Sequence, residues 1–189
     1  MQFTATPLSI PEVVLIAPQR FVDARGHFMV TYELDQFRQL GMPEFVQDNQ
    51  ALSTHAGTIR GFHFQRPPHA QGKLIRVLKG AIFDVAVDLR ARSPTFGKWA
   101  SATLTATTAE QLFVPRGFAH GYCTLEDGTE VAYKCDSFYA PAAEAGILFS
   151  DPDLGVDWPV SPVAAILAEK DRALPLLRDV AVPFSMERA

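Results

Sequence analysis

The residues of this chain best suited to chemistry are histidines, a lysine and a tyrosine set in β-type sequence. Of five histidines, His63 lies in Arg60-Gly61-Phe62-His63-Phe64-Gln65, where alternation puts Gly61, His63 and Gln65 on one face of a strand. Arg60 and Phe62 then face the other way, unless a bulge at the glycine turns one of them. An imidazole titrates near neutrality and can act as a general base, but it can equally be a hydrogen-bonded core or rim residue. Lys73 opens Lys73-Leu74-Ile75-Arg76-Val77-Leu78 and shares a face with Ile75 and Val77. Its ammonium therefore either snorkels from a strand end or is placed in a pocket. Tyr133 is mid-strand between Ala132 and Lys134, where a core tyrosine needs a partner for its hydroxyl. His120 follows Pro115-Arg116-Gly117-Phe118-Ala119 and is equally readable as a turn histidine.

Histidines spread over successive β-segments raise the question of a metal. A His-x-His pair followed by an acid and a later histidine would answer it, but the second position after His63 is Gln65. Basic Lys73 stands where the acid is needed, and a cation beside a lysine lacks the anionic oxygen or sulfur that would hold it. Cys123 and Cys135 are too few for a four-ligand zinc site or a disulfide framework. They are read as buried thiols of a reducing compartment or as one bond. No metal and no cofactor is expected. A Gly-rich phosphate loop, a nucleophile elbow and a dinucleotide fingerprint are all absent.

The elements that must position these residues are strands. Residues 81–89 are rich in β-formers, 98–105 alternate with period two, 110–114 end at Pro115, and 130–135 follow Asp127-Gly128. Asp-Gly between two such runs predicts a hairpin. Helix is sparse: 34–40 reads as one short helix ending near Gly41 and Pro43, and 161–168 as another, capped by Ser161 with Pro162 in its first turn. Many short strands with regular turns predict an all-β sandwich or barrel.

Length and composition agree. At 189 residues, 48% apolar and 20% charged, the chain can bury a sizeable core and is expected to be a single domain, 1–189, with the β core at about 45–140. A net charge of −4 argues against a nucleic-acid or membrane-surface partner, because both require a broad basic face. No apolar run approaches membrane-spanning length, and the N-terminus lacks a basic leader, so a cytoplasmic protein is expected.

Taken in order, Phe45-Val46-Gln47-Asp48-Asn49, the Arg60–Gln65 string, Gln71-Gly72-Lys73-Leu74-Ile75-Arg76-Val77 and Pro115-Arg116-Gly117-Phe118-Ala119-His120-Gly121 resemble dTDP-4-dehydrorhamnose 3,5-epimerases. Phe83-Asp84-Val85-Ala86-Val87-Asp88-Leu89, Ser93-Pro94-Thr95-Phe96-Gly97-Lys98-Trp99, Tyr133-Lys134, the 151–159 segment and Glu169-Lys170-Asp171 extend the resemblance over nearly the whole chain.

The resemblance implies a metal-independent, cupin-type jelly roll, usually a homodimer, acting on a dTDP-4-keto-6-deoxyhexose on the route to dTDP-L-rhamnose. It implies proton exchange at the two carbons beside the C4 ketone. In that scheme His63 is the base, Asp171 its paired carboxylate, Lys73 the cation at the C4 oxygen, and Tyr133 the acid on the opposite face. Arg25, Arg60, Gln47 and Asn49 match positions that hold the diphosphate or nucleoside. His120, Glu144 and Lys170 match further substrate contacts, and Tyr139 an aromatic that stacks on the base. Arg25, Arg60, Lys73 and Lys170 are expected to converge on one pocket. The chain departs from the pattern at Val30, where a glutamate is usual, at His27, and at Ala142, Ala143 and Ala145 around Glu144. A paralogue epimerising one carbon only, or using another 4-keto sugar nucleotide, is the alternative. A non-catalytic sugar-nucleotide-binding relative would be expected to lack His63, Tyr133 or Asp171, and all are present.

Overall fold

A computed structural model describes residues 2–185. The chain opens with β1 (Phe3–Pro7), β2 (Val14–Pro18), β3 (Phe21–Asp23), β4 (Gly26–Phe28) and α1 (Leu34–Gln39). It continues with β5 (Gln47–Ser53), β6 (Ile59–Gln65), β7 (Lys73–Lys79), β8 (Ala81–Asp88), β9 (Arg90–Ala91) and β10 (Trp99–Thr105). Then come β11 (Gln111–Val114), β12 (Phe118–Thr124), β13 (Thr129–Cys135), β14 (Glu144–Gly146), α2 (Glu169–Arg172) and β15 (Phe184–Ser185).

Two antiparallel sheets face each other, one of six strands in the order β1-β2-β11-β7-β13-β5 and one of five in the order β10-β8-β12-β6-β14. Successive strands mostly change sheet, which gives the cupin-type jelly roll. The expected all-β class therefore holds, and the sheets reach beyond 45–140 to recruit β1, β2 and β14.

Alternation along each strand sorts side chains between the inner space and the outer faces. On β8, Ile82 and Ala86 join Ile75, Val77, Leu104, Leu112 and Val131 in the core between the sheets. Phe83, Val85 and Val87 point the other way, where Phe62, Leu154 and Trp158 cover them. This is why 81–89 reads as a continuous apolar run: both faces of β8 are buried. The outer face of the six-stranded sheet is covered by α1, whose Phe37 packs on Phe3, Leu74 and Phe113. That helix ends where the sequence indicates, with Leu40 as C-cap and Gly41 at φ 76°.

Two expectations are corrected. The Asp127-Gly128 turn does not close a hairpin, because β12 and β13 belong to different sheets. Gly128 does take a positive φ of 65°, and the Asp127 carboxylate accepts from Ala56 N–H, so the turn chemistry carries the chain across the sandwich. Residues 161–168 form no helix, only a turn followed by an isolated parallel bridge from Ile166 to Thr58. Pairing with β-sheet backbone outweighed the local cap, since short helices are marginal without an apolar face to bury. Among the described residues no helix is long and apolar enough to cross a membrane.

Candidate active site

The site begins with a bulge. On β6, His63 pairs with His120 of β12, but Arg60 pairs with Tyr122, so three steps on one strand match two on the other. The additional residue turns Phe62 outward onto Trp158 and restores Arg60 to the His63 side, the case foreseen for a bulge at the glycine. Gly61 makes this possible: its φ is 133°, and a Cβ there would stand 2.4 Å from Gly121 Cα. No other residue type fits that approach.

The inner faces of the two sheets then enclose a cavity of about 600 Å³. From the five-stranded sheet Arg60, His63, Gln65, His120 and Tyr122 line it, and from the six-stranded sheet Gln47, Asn49, Lys73, Tyr133 and Cys135. Tyr139, Glu144, Lys170 and Asp171 contribute from the segments after β13. Every site residue expected from the sequence except Arg25 thus meets in one place.

Asp171 sits on α2, buried, and its Oδ1 lies 2.8 Å from His63 Nε2. Burial pushes its carboxyl up, but hydrogen bonds from His63 and the Gly61 N–H, with the charges of His63 and Lys170, hold it below the ordinary carboxylate value. An ionised Asp171 accepts from Nε2–H, fixing the tautomer that leaves the Nδ1 lone pair free to take a proton.

A second histidine–carboxylate pair stands beside it. His120 Nε2 is 2.6 Å from Asp84 Oδ1, both groups are buried, and burial holds the imidazole below its ordinary pKa despite the carboxylate. Lys73 makes no ion pair among the described residues. Burial lowers its pKa, offset in part by Cys135, Asp84 and Glu144. Tyr133 is raised, mainly by burial, so its phenol keeps its proton at neutral pH.

Toward Tyr139 the lining is a polar lattice. Gln47 donates to Asn49 Oδ1 at 2.9 Å and accepts from Tyr139 N–H at 2.9 Å. Glu144 accepts from the Tyr139 hydroxyl at 2.8 Å and from Lys170 Nζ at 2.9 Å. The ammonium of Lys170 is the main reason its carboxyl is held below the ordinary value. Gln65 ties down the segment that carries Tyr139, donating to His69 O at 2.7 Å and accepting from Ala140 N–H at 2.8 Å.

Arg25 stands apart. It lies in the turn between β3 and β4, its side chain 90% exposed and paired with Asp23. Arg60, Lys73 and Lys170 converge as expected, but Arg25 does not join them within one chain. Val30, at the position of the usual glutamate, packs instead against the apolar cluster of Phe3, Phe37, Leu74 and Phe113.

Sequence reading missed Tyr122 and Cys135 as cavity groups, and Asp84 as the buried partner of His120. A signal existed for two of them: an aspartate inside an otherwise apolar β-run needs a buried partner, and Tyr122 shares a strand face with His120. Both cysteines are buried free thiols. Among the described residues no group of three or more His, Cys, Asp or Glu side chains converges as metal ligands would.

A base, a protonated phenol and a cation around one cavity can exchange protons at a carbon made acidic by a neighbouring carbonyl. Comparison with known proteins points the same way. The family model described as dTDP-4-dehydrorhamnose 3,5-epimerase matches residues 7–179. A dTDP-4-dehydrorhamnose 3,5-epimerase of Sinorhizobium fredii is 46% identical over 178 residues, 94% of this chain and 91% of that protein. The crystal structure of the Bacillus anthracis enzyme with TDP and PPi bound superposes with a TM-score of 0.89 at 46% identity, covering 92% of this chain and 99% of that one. The Legionella pneumophila dTDP-6-deoxy-D-glucose-3,5-epimerase, in complex with dTDP-4-keto-L-rhamnose, gives 0.93 at 36% identity, covering 98% and 100%. With a shared fold, matched length and a cavity suited to proton exchange, the chain belongs to the dTDP-4-dehydrorhamnose 3,5-epimerase family.

Proposed function

We propose that this chain epimerises dTDP-4-dehydro-6-deoxy-D-glucose at C3 and C5, giving dTDP-4-dehydro-L-rhamnose on the route to dTDP-L-rhamnose. The observation that carries this reading is the placement of the His63–Asp171 pair and Tyr133 on opposite sheets across one cavity, with Lys73 lining the same space. His63 Nδ1 removes the proton next to the C4 ketone, and the electron pair left on carbon is delocalised onto the C4 oxygen as an enolate. The Lys73 ammonium stabilises that oxygen more when it is charged than when it is a ketone, and this difference lowers the barrier. Tyr133 returns a proton from the opposite face, which inverts the carbon. The same sequence at the second flanking carbon completes the reaction.

Binding follows from the remaining lining. Arg60 is suited to the diphosphate, since its guanidinium fork matches phosphate oxygens. Gln47, Asn49, His120, Glu144 and Lys170 are assigned to further substrate contacts, and Tyr139 to stacking on the base. We read the functional unit as a homodimer. The β3–β4 hairpin exposes Phe21, Val22 and Phe28, and a two-stranded hairpin standing alone is marginally stable. A second copy packed against it would cover these side chains and bring Arg25 to the partner's cavity. The free buried thiols suit a reducing, cytoplasmic setting.

Incubation with dTDP-4-keto-6-deoxyglucose in D₂O tests the reading by mass and proton NMR spectra. Deuterium is expected at both C3 and C5, and His63→Ala should abolish its entry. Absence of exchange at either carbon would overturn the assignment, and exchange at one carbon alone would establish a mono-epimerase. Activity is expected to survive exhaustive chelation, and loss reversed by added metal would contradict the ligand argument.

A further inference from the structure

We propose that Asp84 is a positioning residue that makes His120 a fixed hydrogen-bond acceptor for a free hydroxyl of the hexose. Asp84 is fully buried on β8, and its Oδ1 lies 2.6 Å from His120 Nε2. Ala86 is the β8 residue opposite His120, and Asp84 follows it on the same face by strand alternation. The bond to His120 is the only one Asp84 makes among the described residues, and its Oδ2 is enclosed without a partner. A carboxylate buried in this way costs the fold more than an apolar side chain would. Its one partner lines the cavity.

A carboxylate can only accept, so the proton between the two groups sits on Nε2 and the lone pair of the ring is left on Nδ1. Nδ1 has no partner among the described residues and is not among the enclosed unpaired atoms, so it opens into the cavity that His120 lines. Burial, with the charges of Lys73 and His63, holds the imidazole below its ordinary pKa against the pull of Asp84. Near neutrality Nδ1 is therefore a neutral acceptor. It takes the hydrogen of a hydroxyl and offers nothing to a ketone or ether oxygen. His120 stands directly opposite His63 in the β12–β6 pair, so the group it meets belongs to the ring whose carbons exchange protons. A 4-keto-6-deoxyhexose carries such hydroxyls at C2 and C3.

The inference rests on the reading of the cavity as a dTDP-hexose site and deepens it. Nitrogen-15 NMR of the histidine rings in the wild type, with His120→Gln to assign the signal, tests the tautomer. A neutral Nε2–H ring is expected at neutral pH, and an Nδ1–H ring or an imidazolium overturns the inference. Asp84→Asn tests what the tautomer is for, because an amide can donate to Nε2 as well as accept from it. Its KM for the dTDP-4-keto-6-deoxyhexose should rise about three- to tenfold, the scale of one neutral hydrogen bond. In calorimetric titration it should bind TDP as tightly as wild type, and equal weakening of TDP overturns the hexose assignment. On a His120→Gln background Asp84→Asn should add no further loss, and losses that multiply would show that Asp84 does not act through His120. Lys73 is the rival client: burial disfavours its ammonium, and Cys135, Asp84 and Glu144 support it. A basic limb of the pH–rate profile that moves down in Asp84→Asn at unchanged KM would make Asp84 the counter-ion of Lys73 and overturn the inference. If Asp84→Asn does not fold, the wild-type spectrum still decides. If the wild type exchanges no deuterium, the functional reading fails instead, and the ring tautomer still reports on Asp84.

Discussion

Single side chains in this cavity are tuned by what surrounds them, and two substitutions expose that tuning. Asp171→Asn keeps the size of the side chain but removes the charge that fixes the His63 tautomer and stabilises the imidazolium. We expect kcat for deuterium exchange to fall by about 10²–10³ with KM little changed, because the loss falls on the transition state. A change confined to KM would make Asp171 a binding residue. Lys73 carries the opposite tension. It is a base whose folded pKa lies below its ordinary 10.5, so between those two values the unfolded chain holds more protons than the folded one. Stability therefore rises with pH through that window, and below it the buried ammonium penalises the fold in full. Lys73→Met should raise the neutral-pH melting temperature, at about 2–4 °C per kcal/mol for a chain of this size, while exchange is lost by about 10²–10³ through the missing enolate partner. The stabilisation should shrink above pH 10 in calorimetry, and an equal gain at both pH values would contradict it. In the wild type, activity should decline as Lys73 deprotonates, at a pH below its ordinary titration, and Lys73→Arg should remove that limb.

Elements, more than residues, decide whether these groups meet. The β6 bulge is the device that sets Arg60 and His63 on one side, and it depends on Gly61. Gly26 offers a matched control, since its φ of 131° is nearly that of Gly61 at 133°, yet nothing stands within 4 Å of a Cβ built there. Gly26→Ala should cost about 1–2 kcal/mol of backbone strain, whereas Gly61→Ala adds a collision with Gly121 and should cost about 3 kcal/mol or more. Chemical denaturation of the two variants measures the difference, and similar losses would mean that φ alone demands the glycine. Much at this scale was legible in the sequence. The strands beginning at Lys73, Ala81 and Trp99 could be read because alternation and β-formers act locally, as could the helix stopped at Gly41. What local pattern does not encode is which sheet a strand joins. The Asp127-Gly128 turn has hairpin chemistry but spans two sheets, and Ser161 and Pro162 have helix-start chemistry yet precede a bridge to Thr58. The candidate site was legible through resemblance for His63, Lys73, Tyr133 and Asp171. It was not legible through spacing, because Asp171 reaches His63 from 108 positions away. Asp84 and Tyr122 could have been read from a lone aspartate in an apolar run and a strand face shared with His120, whereas nothing local tells that the Cys135 thiol lines the cavity.

At the scale of the whole molecule, a chain with net charge −4 concentrates Arg60, Lys73 and Lys170 around one cavity. A negative overall charge disfavours polyanions, while local positive charge suits a diphosphate and a developing enolate. Arg25 fits this distribution only if it acts outside its own chain. Its hairpin projects Phe21, Val22 and Phe28 at 46%, 77% and 66% exposure, and Arg25 at the turn does not line the cavity of its own chain. A dimer joined through this hairpin predicts complementation. Arg25→Ala and His63→Ala homodimers should each be impaired, but on unfolding and refolding together they should regain activity. In each mixed dimer one cavity receives His63 from its own chain and Arg25 from its partner, so about a quarter of all sites become intact under random two-fold pairing. Action of Arg25 within its own chain would leave the mixture with no more activity than the two parents. Val22→Asp places a charge in the proposed contact and should halve the mass in light scattering while lowering activity, since the cavity then loses the cation supplied in trans. A monomer that retains full activity would break the link between assembly and catalysis. A dimer that persists with Val22→Asp would move the interface elsewhere on the molecule.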